Sequence, residues 1–312
     1  MKKLNPRILY LGTPDISATI LSALINNDYN VVGVVTQPDQ KVGRKKILTP
    51  PPVKEVALKK GIPVFQPVDI KKDYRFADAL NIDLIICYSY GQIIPQELLD
   101  IPPLGSLNLH GSLLPKYRGA SPMQAALINR DKITGVTLME MVFKMDAGKM
   151  YAKKEVEIEA SDNYSSLSLK ITKAAKELIL ASLPLYLNGE LEGVEQVEAE
   201  ATYTRLLKKA DEHLDLTKPK KEIVGWIKAL SLEPGAYLNR DKSQLKIYDA
   251  IEVSEEVTAA VGTIIKADKF GLHLQCKDGV IALLKVQNPG KNILHYKDFL
   301  NGEKHILNTV LE

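Results

Sequence analysis

Short apolar runs alternate with helical segments over the first half of the chain, and this alternation limits the fold more than any other feature. The runs are Arg7–Leu11, Asn30–Thr36, Pro63–Phe65, Asp83–Cys87, Ser106–His110 and Gly135–Met141. Strands that alternate with helices are typical of a parallel, doubly wound sheet that is covered on both faces. Such sheets bind ligands at the carboxyl ends of their strands. We therefore expect an α/β domain with its functional residues at strand ends.

The C-terminal part of the chain has a different pattern. A long amphipathic helix is predicted over Asn163–Leu187, and an acidic, weakly patterned segment follows it as far as Leu207. Short β-type runs separated by turns then extend from Ala236 to Gln287, a pattern that predicts a small barrel or sandwich. We accordingly divide the chain into an N-terminal domain of residues 1–189, a linker of residues 190–207 and a second domain of residues 208–312.

Composition places the chain among ordinary globular proteins. It has 312 residues, 45% of them hydrophobic and 25% charged, which is enough for two buried cores. Cys87 and Cys276 lie far apart in apolar runs, so we expect buried thiols in a reducing compartment and neither a disulfide nor a metal site. No apolar run approaches the ~18 residues of a membrane span, and the first residues lack the apolar core of a signal peptide. These features predict a cytoplasmic protein.

An amide and an imidazole end the run Ser106–His110. Asn108 and His110 are two positions apart, so in a strand they point to the same side and can reach one substrate atom. His110 is also the only histidine before His213. Asp146 lies in a turn after the next β-type run, and a carboxylate beside an imidazole favours the charged ring. Because the Asn108 amide is a suitable donor to a developing oxyanion, the three side chains together suit acyl transfer.

A purely structural interpretation stays open at this point. Asn108 and His110 could cap loop backbone, and the Asp-Ala-Gly sequence at 146–148 is a common turn type. Several other chemistries are disfavoured, because the chain has no GxxxxGK[ST] phosphate loop, no GxGxxG, no HExxH and no pair of CxxC motifs. A phosphate-loop nucleotidase, a typical dinucleotide dehydrogenase and a zinc enzyme are therefore not expected.

Positive charge is concentrated in one stretch of the chain. Between Lys41 and Lys60 there are seven basic residues and one acidic residue, whereas the whole chain has a net charge of +3. The local excess of +6 leaves the remainder of the chain net negative. A basic loop is most often only solvated, but residues 41–46 are the strongest local candidate for contact with the phosphates of a nucleic acid.

The sequence around the amide and the imidazole resembles a known signature. Residues 106–115 read Ser-Leu-Asn-Leu-His-Gly-Ser-Leu-Leu-Pro, followed by Tyr-Arg-Gly at 117–119 and Asp-Ala-Gly at 146–148. This combination resembles the signature of the 10-formyltetrahydrofolate-dependent formyltransferases. The resemblance implies that the catalytic residues are Asn108, His110 and Asp146.

The same resemblance implies a folate site and a formyl donor. The folate-binding residues that it implies are Ser112, Leu113, Leu114, Pro115, Tyr88 and Gly91. The donor is 10-formyltetrahydrofolate, which acts as a co-substrate. No metal is expected, because the formyl group of this donor is already activated.

Further segments resemble the members of this family that act on a charged tRNA. These segments are Leu11–Asp15, Thr36–Lys54, Gly61–Pro67, Ala201–Tyr203 and Pro234–Tyr237. The resemblance implies a Rossmann-like sheet followed by an OB-like β-barrel, and a reaction that formylates the α-amino group of methionyl-initiator tRNA. We also expect a monomer that has no contact with a membrane. The residues that it implies for tRNA binding are Lys41, Arg44, Lys45 and Lys46.

Two alternative functions stay open. The first is a formyltransferase that acts on an amino-sugar nucleotide or another small amine, because such relatives share the Asn-His-Asp site. The second is a folate-binding or RNA-binding protein that has lost turnover. The intact Asn108, His110 and Asp146 argue against this second alternative.

Overall fold

The computed structural model describes residues 5–43, 45–241, 243–303 and 305–312, and the chain forms two compact units. The first unit comprises the chain as far as Gly119 with Thr134–Val156 and Ser168–Tyr203, and the second comprises Ala120–Ile133, Glu157–Leu167 and Thr204–Glu312. The segment interpreted as a linker is thus divided between the two units. The boundaries of 1–189, 190–207 and 208–312 stay a prediction from the sequence.

A mostly parallel sheet forms the centre of the first unit. The strands in this part of the chain are β1 (Ile8–Gly12), β2 (Val31–Val35), β3 (Gln40–Val42), β4 (Ile47–Thr49), β5 (Val64–Phe65), β6 (Leu84–Tyr88), β7 (Ser106–His110), β8 (Arg118–Gly119), β9 (Ile133–Glu140), β10 (Met150–Glu157) and β11 (Tyr203–Thr204). Seven of them form one sheet in the order β10-β9-β7-β6-β1-β2-β5. The pairs β1–β2, β1–β6, β6–β7 and β2–β5 are parallel, whereas β7–β9 is antiparallel. The predicted doubly wound, mainly parallel sheet is confirmed.

Alternate residues of the central strands enter two different cores. The helices between the strands are α1 (Asp15–Asn26), α2 (Pro52–Lys59), α3 (Phe76–Leu80), α4 (Gln96–Leu99), α5 (Pro122–Ile128) and α6 (Tyr164–Leu187). In β1, Ile8 and Tyr10 pack into one core with α1 and α6, while Leu9 and Leu11 pack into another with α3 and α4. Because both faces of the sheet are buried, its strands are almost continuously apolar, which is the pattern seen in the sequence.

Two exposed features of the first unit are not predicted by the sequence pattern. The basic segment interpreted as a loop is a β-hairpin in which β3 pairs with β4. Strand β10 lies at the edge of the sheet beside β9. Neither segment is well buried. The two hairpin strands have only three residues each and β10 is rich in charged residues, so none of them shows the regular apolar alternation of a half-buried strand.

The second unit is built on an antiparallel sheet. Its strands and later helices are α7 (Lys220–Leu230), β12 (Ala236–Arg240), β13 (Ser243–Val253), β14 (Ile264–Asp268), β15 (Gly271–Cys276), β16 (Gly279–Gln287), β17 (Leu294–His295) and α8 (Tyr296–Gly302). The strand order is β12-β13-β16-β15-β14, with β17 beside β16. Helix α7 buries Ile223, Val224 and Ile227 in the core of this unit. The sequence predicts a small OB-like barrel or a sandwich here, and the structure confirms a β domain whose sheet is antiparallel.

Both cysteines are buried free thiols, as the sequence predicts. Burial raises the pKa of the Cys87 thiol and of the Cys276 thiol to about 12, so both thiols are protonated at neutral pH. Within the described part of the chain, no helix is long and apolar enough to cross a membrane.

The first prediction concerns Gly12, which ends β1 and has no room for a side chain. A Cβ atom there would overlap Ser17 Oγ and would lie 2.9 Å from the backbone oxygen of Tyr88. We expect Gly12→Ala to lower the free energy of unfolding by about 1–3 kcal/mol through overpacking, measured by urea denaturation. The control is Gly302→Ala, because a Cβ atom at Gly302 has no atom within 4 Å. Equal unfolding midpoints for the two variants would contradict this packing.

Candidate active site

Strand β7 places an amide and an imidazole on one face of the sheet. Leu107 and Leu109 are buried in the core that contains α1 and α6, so the alternating side chains Asn108 and His110 point to the opposite face. Asn108 is half-buried, and no described residue forms a hydrogen bond with its side-chain amide. The amide is therefore available to a ligand.

His110 is buried and lies between two fixed groups. Its side chain is 6% exposed, and Nε2 lies 2.8 Å from the backbone oxygen of Tyr117. A carbonyl oxygen only accepts hydrogen bonds, so Nε2 carries a proton and donates it to Tyr117. The other ring nitrogen, Nδ1, lies 3.6 Å from Asp146 Oδ2. The structure thus brings together the imidazole and the carboxylate singled out in the sequence.

Asp146 reaches His110 because the loop after β9 folds back across the face of β7. The loop starts beside the first residue of β7, where the Met141 amide donates to the Ser106 carbonyl at 2.8 Å. His110 is the last residue of that strand, so the loop must run the length of β7 before it presents Asp146. At that point the Gly119 amide donates to Asp146 Oδ2 at 2.8 Å and fixes the carboxylate.

The carboxylate of Asp146 also affects the Cys87 thiol on the neighbouring strand. Cys87 on β6 pairs in register with Asn108. Burial raises the pKa of the Cys87 thiol, and the charge of Asp146 adds to the rise. The thiol is therefore a neutral, packed neighbour of the site and is poorly suited to act as a nucleophile.

The turn after β7 is tied to the sheet by its own hydrogen bonds. Ser112 Oγ donates to the Lys116 carbonyl at 2.6 Å, and Thr137 Oγ1 donates to the Ser112 carbonyl at 2.7 Å. Thr137 Oγ1 also accepts a hydrogen bond from the Leu114 amide at 3.1 Å. Ser112 and Leu114 are buried, whereas Leu113 and Pro115 are half-buried. Of these four residues from the expected folate site, Leu113 and Pro115 expose more surface to a ligand.

The segment after β6 contains the other two residues of the expected folate site. Tyr88 is buried, and Gly91 is exposed with φ at 96°, a conformation that favours glycine. The backbone oxygen of Tyr90 accepts hydrogen bonds from Thr13 Oγ1 at 2.8 Å and from Gln37 Nε2 at 3.2 Å. These bonds hold the segment in place and leave Gly91 on the surface.

The basic hairpin presents its side chains to solvent. Lys41 lies on β3, Lys45 and Lys46 lie in the turn, and all three are exposed. Arg44 lies outside the described residues. Within the described part of the chain, these three lysines form no ion pair, and no hydrogen bond joins them to His110 or Asp146.

Sequence reasoning missed a group of contacts around the buried Arg118 side chain, next to the loop that carries Asp146. Arg118 is 1% exposed; its Nε donates to Gln196 Oε1 at 3.0 Å and its Nη1 to Glu198 Oε2 at 2.9 Å. Hydrogen bonds from Lys144 and Arg118 lower the pKa of Glu198 to about 2. Gln196 Nε2 donates to the carbonyls of Asp146 and Gly148, at 2.8 Å each. Arg118 belongs to the Tyr-Arg-Gly motif that the sequence analysis identified. No sequence pattern indicates a role for Gln196, which lies in the acidic segment.

Comparisons with known proteins agree on the family. A formyl transferase family model matches residues 6–183, and a model of the formyl transferase C-terminal domain matches residues 206–304. The methionyl-tRNA formyltransferase of Bacillus velezensis is 39% identical over 300 residues, covering 95% of each chain. The enzyme of the same name from Bacillus pumilus is 42% identical over 300 residues, covering 95% of this chain and 94% of its own.

A solved structure of another protein has a fold similar to that of this chain. It is an N-formyltransferase from Helicobacter canadensis in complex with folinic acid and dTDP-3-aminofucose. It has a TM-score of 0.68 and 19% identity, over 89% of this chain and 99% of that chain. With matching models for both parts of the chain and relatives that align along nearly all of it, the protein belongs to the formyl transferase family.

Proposed function

We propose that this protein transfers the formyl group of 10-formyltetrahydrofolate to the α-amino group of methionyl-initiator tRNA and so produces formylmethionyl-tRNA for translation initiation. The observation that carries the proposal is the similarity to methionyl-tRNA formyltransferases over 95% of the chain. The geometry of Asn108, His110 and Asp146 supports the chemistry, because a free amide and a carboxylate–imidazole pair suit transfer through a tetrahedral intermediate.

The reaction exchanges one carbon–nitrogen bond for another. The amine nitrogen of the methionyl group attacks the formyl carbon, and the bond between that carbon and N10 of the folate breaks. The amine loses a proton and N10 gains one, so the products are the formylated amine and tetrahydrofolate. In between, negative charge develops on the formyl oxygen. The protein must therefore stabilise that oxygen and move a proton.

Asn108 and His110 stabilise the formyl oxygen in this proposal. The Asn108 amide donates to the oxygen, since no described residue occupies it. His110 is held by its bond from Nε2 to the Tyr117 carbonyl, which directs Nδ1 toward the site. At 3.6 Å from Asp146 Oδ2, a proton on Nδ1 is attracted by the carboxylate and is still able to donate to a nearby oxygen.

Asp146 takes the proton of the attacking amine in this proposal. Its Oδ2 atom accepts from the Gly119 amide and faces His110. Its Oδ1 atom accepts no hydrogen bond from any residue that the structure describes, so this atom is available as a base, directly or through one water molecule. No metal is needed in this scheme, because the formyl donor is already activated.

The folate lies against the two segments that flank the end of β7 in this proposal. Leu113 and Pro115 offer half-buried apolar surface, and Gly91 offers exposed backbone to the polar edge of the pterin. Ser112, Leu114 and Tyr88 are buried and shape these segments from below. A site of this kind combines apolar walls with a few placed polar groups, as small-molecule sites commonly do.

The basic hairpin contacts the acceptor end of the tRNA in this proposal. Lys41, Lys45 and Lys46 are exposed and unpaired within the described residues, so their charges are available to phosphates. Lys54, which adds to the same basic stretch, is used internally by an ion pair with Asp39 at 2.8 Å. The second unit adds to the tRNA contact, and the protein acts as a cytoplasmic monomer.

The second prediction tests the three catalytic residues by single-turnover formylation of methionyl-tRNA. We expect Asn108→Ala and His110→Ala to slow transfer about 10²–10³-fold, because each removes a donor to the formyl oxygen. We expect Asp146→Asn to slow it about 10²–10⁴-fold, because it removes the base. The matched control is Asn188→Ala, which deletes an exposed amide whose one side-chain hydrogen bond among the described residues is to Glu190. A near-normal rate for His110→Ala in folded protein would remove the basis of this assignment.

The third prediction tests the basic hairpin by the salt dependence of tRNA binding. We expect Lys45→Ala combined with Lys46→Ala to weaken binding and to reduce the slope of log K against log salt by roughly 1–2, because two phosphate contacts are lost. Lys173→Ala combined with Lys176→Ala is the control, since it removes the same charge from exposed positions on α6. Equal slopes for the two double variants would show that the hairpin does not contact phosphates.

A further inference from the structure

We infer that Gln196 is a positioning residue for Asp146, so that part of the segment interpreted as a linker supports the catalytic site. The inference rests on the proposed function, because it is the role of Asp146 in formyl transfer that makes its position matter. Gln196 itself has no contact with the reacting groups in this scheme. It acts through the backbone of the loop that carries Asp146.

All the polar groups of the Gln196 side chain are used. Oε1 accepts from Arg118 Nε at 3.0 Å, while Nε2 donates to the Asp146 carbonyl and to the Gly148 carbonyl at 2.8 Å. A guanidinium only donates and a carbonyl only accepts, so the amide has a single orientation that satisfies its neighbours. A flipped amide, or a carboxylate in its place, would face two carbonyl oxygens with lone pairs.

The backbone of the loop is constrained at Asp146 and at Gly148, so the hydrogen bonds that hold it there help to place the Asp146 side chain. Asp146 has φ at 48°, in the left-handed region that costs a non-glycine residue about 1 kcal/mol or more. Gly148 packs so closely against Glu140 that a Cβ atom there would overlap the Glu140 backbone oxygen. Among the described residues, Gln196 is the only hydrogen-bond donor to the carbonyls of Asp146 and Gly148.

Gln196 is itself held in place by contacts of its own segment with β10 and with Arg118. Val194 and Met150 exchange two backbone hydrogen bonds at 2.8 and 2.9 Å, which dock the segment beside β10. Glu198 balances the buried charge of Arg118 through an ion pair at 2.9 Å. The Gln196 amide is therefore presented to the loop in a fixed position, and a fixed donor is what an effective positioning contact requires.

The test is Gln196→Glu, which keeps the size of the side chain and a partner for Arg118 but replaces the donating group by an acceptor. We expect kcat for methionyl-tRNA formylation to fall roughly 10–100-fold, because a displacement of about 1 Å at a catalytic group has effects of this size. KM for the folate and for the tRNA should stay within about twofold, since Gln196 binds neither substrate. The control is Glu195→Gln, the opposite change at an exposed neighbour whose ion pair in the described part of the chain is with Lys149.

A double-mutant cycle with Asp146→Asn separates positioning from a general loss of structure. If Gln196 acts through Asp146, Gln196→Glu should have little further effect on the rate once the carboxylate is gone. Equal losses of rate with and without the Asp146 carboxylate would overturn the inference, as would a wild-type kcat for Gln196→Glu. If Gln196→Glu does not fold, Gln196→Met removes the two donated bonds, together with the bond accepted from Arg118, without adding charge and serves in the same cycle.

Amide hydrogen exchange tests the inference without reference to activity. Exchange in a peptide that spans residues 142–150 should be faster in Gln196→Glu than in the wild type, and unchanged in Glu195→Gln. Unchanged exchange in Gln196→Glu would overturn the inference. A wild-type protein that does not formylate methionyl-tRNA would instead refute the proposed function, while the exchange measurement would still decide whether Gln196 holds the loop.

Discussion

The approach of Asp146 to His110 is the interaction on which the rest of the site depends. It joins the end of β7 to a loop that starts at the other end of the same strand, and the two side chains meet with Nδ1 and Oδ2 3.6 Å apart. Backbone groups fix both partners, because the Tyr117 carbonyl accepts from His110 and the Gly119 amide donates to Asp146. The turn that leaves the sheet after β7 therefore orients both the imidazole and the carboxylate, and it also borders the expected folate site.

Burial decides how much of this fold the sequence predicts. Strands and helices with a buried side carry a clear pattern, and the predicted bounds of Ser106–His110 are those of β7 in the structure. The hairpin strands β3 and β4 are exposed and have only three residues each, so their few apolar residues form no pattern that identifies a strand. The pattern of apolar residues therefore predicts the strands and helices of the core but not the exposed strands.

The candidate site likewise contains some residues that could be identified from the sequence and others that could not. Asn108, His110 and Asp146 could be singled out in the sequence because an amide, an imidazole and a carboxylate are groups that acyl transfer commonly uses. Gln196 lies 50 residues from Asp146 and bonds to backbone carbonyls, which every residue possesses. A contact of that kind cannot be predicted from residue type or spacing. It is found only in the structure, where the fold brings the two segments together.

The residues around His110 do not identify the acceptor amine, because the same site geometry suits a sugar amine. The most direct measurement is an incubation of the wild-type protein with 10-formyltetrahydrofolate labelled in the formyl group, together with either methionyl-initiator tRNA or a dTDP-linked amino sugar. We predict that the label is transferred to the α-amino group of the methionyl-tRNA and not to the sugar. Transfer to the sugar nucleotide alone, or to neither acceptor, would contradict the proposed function.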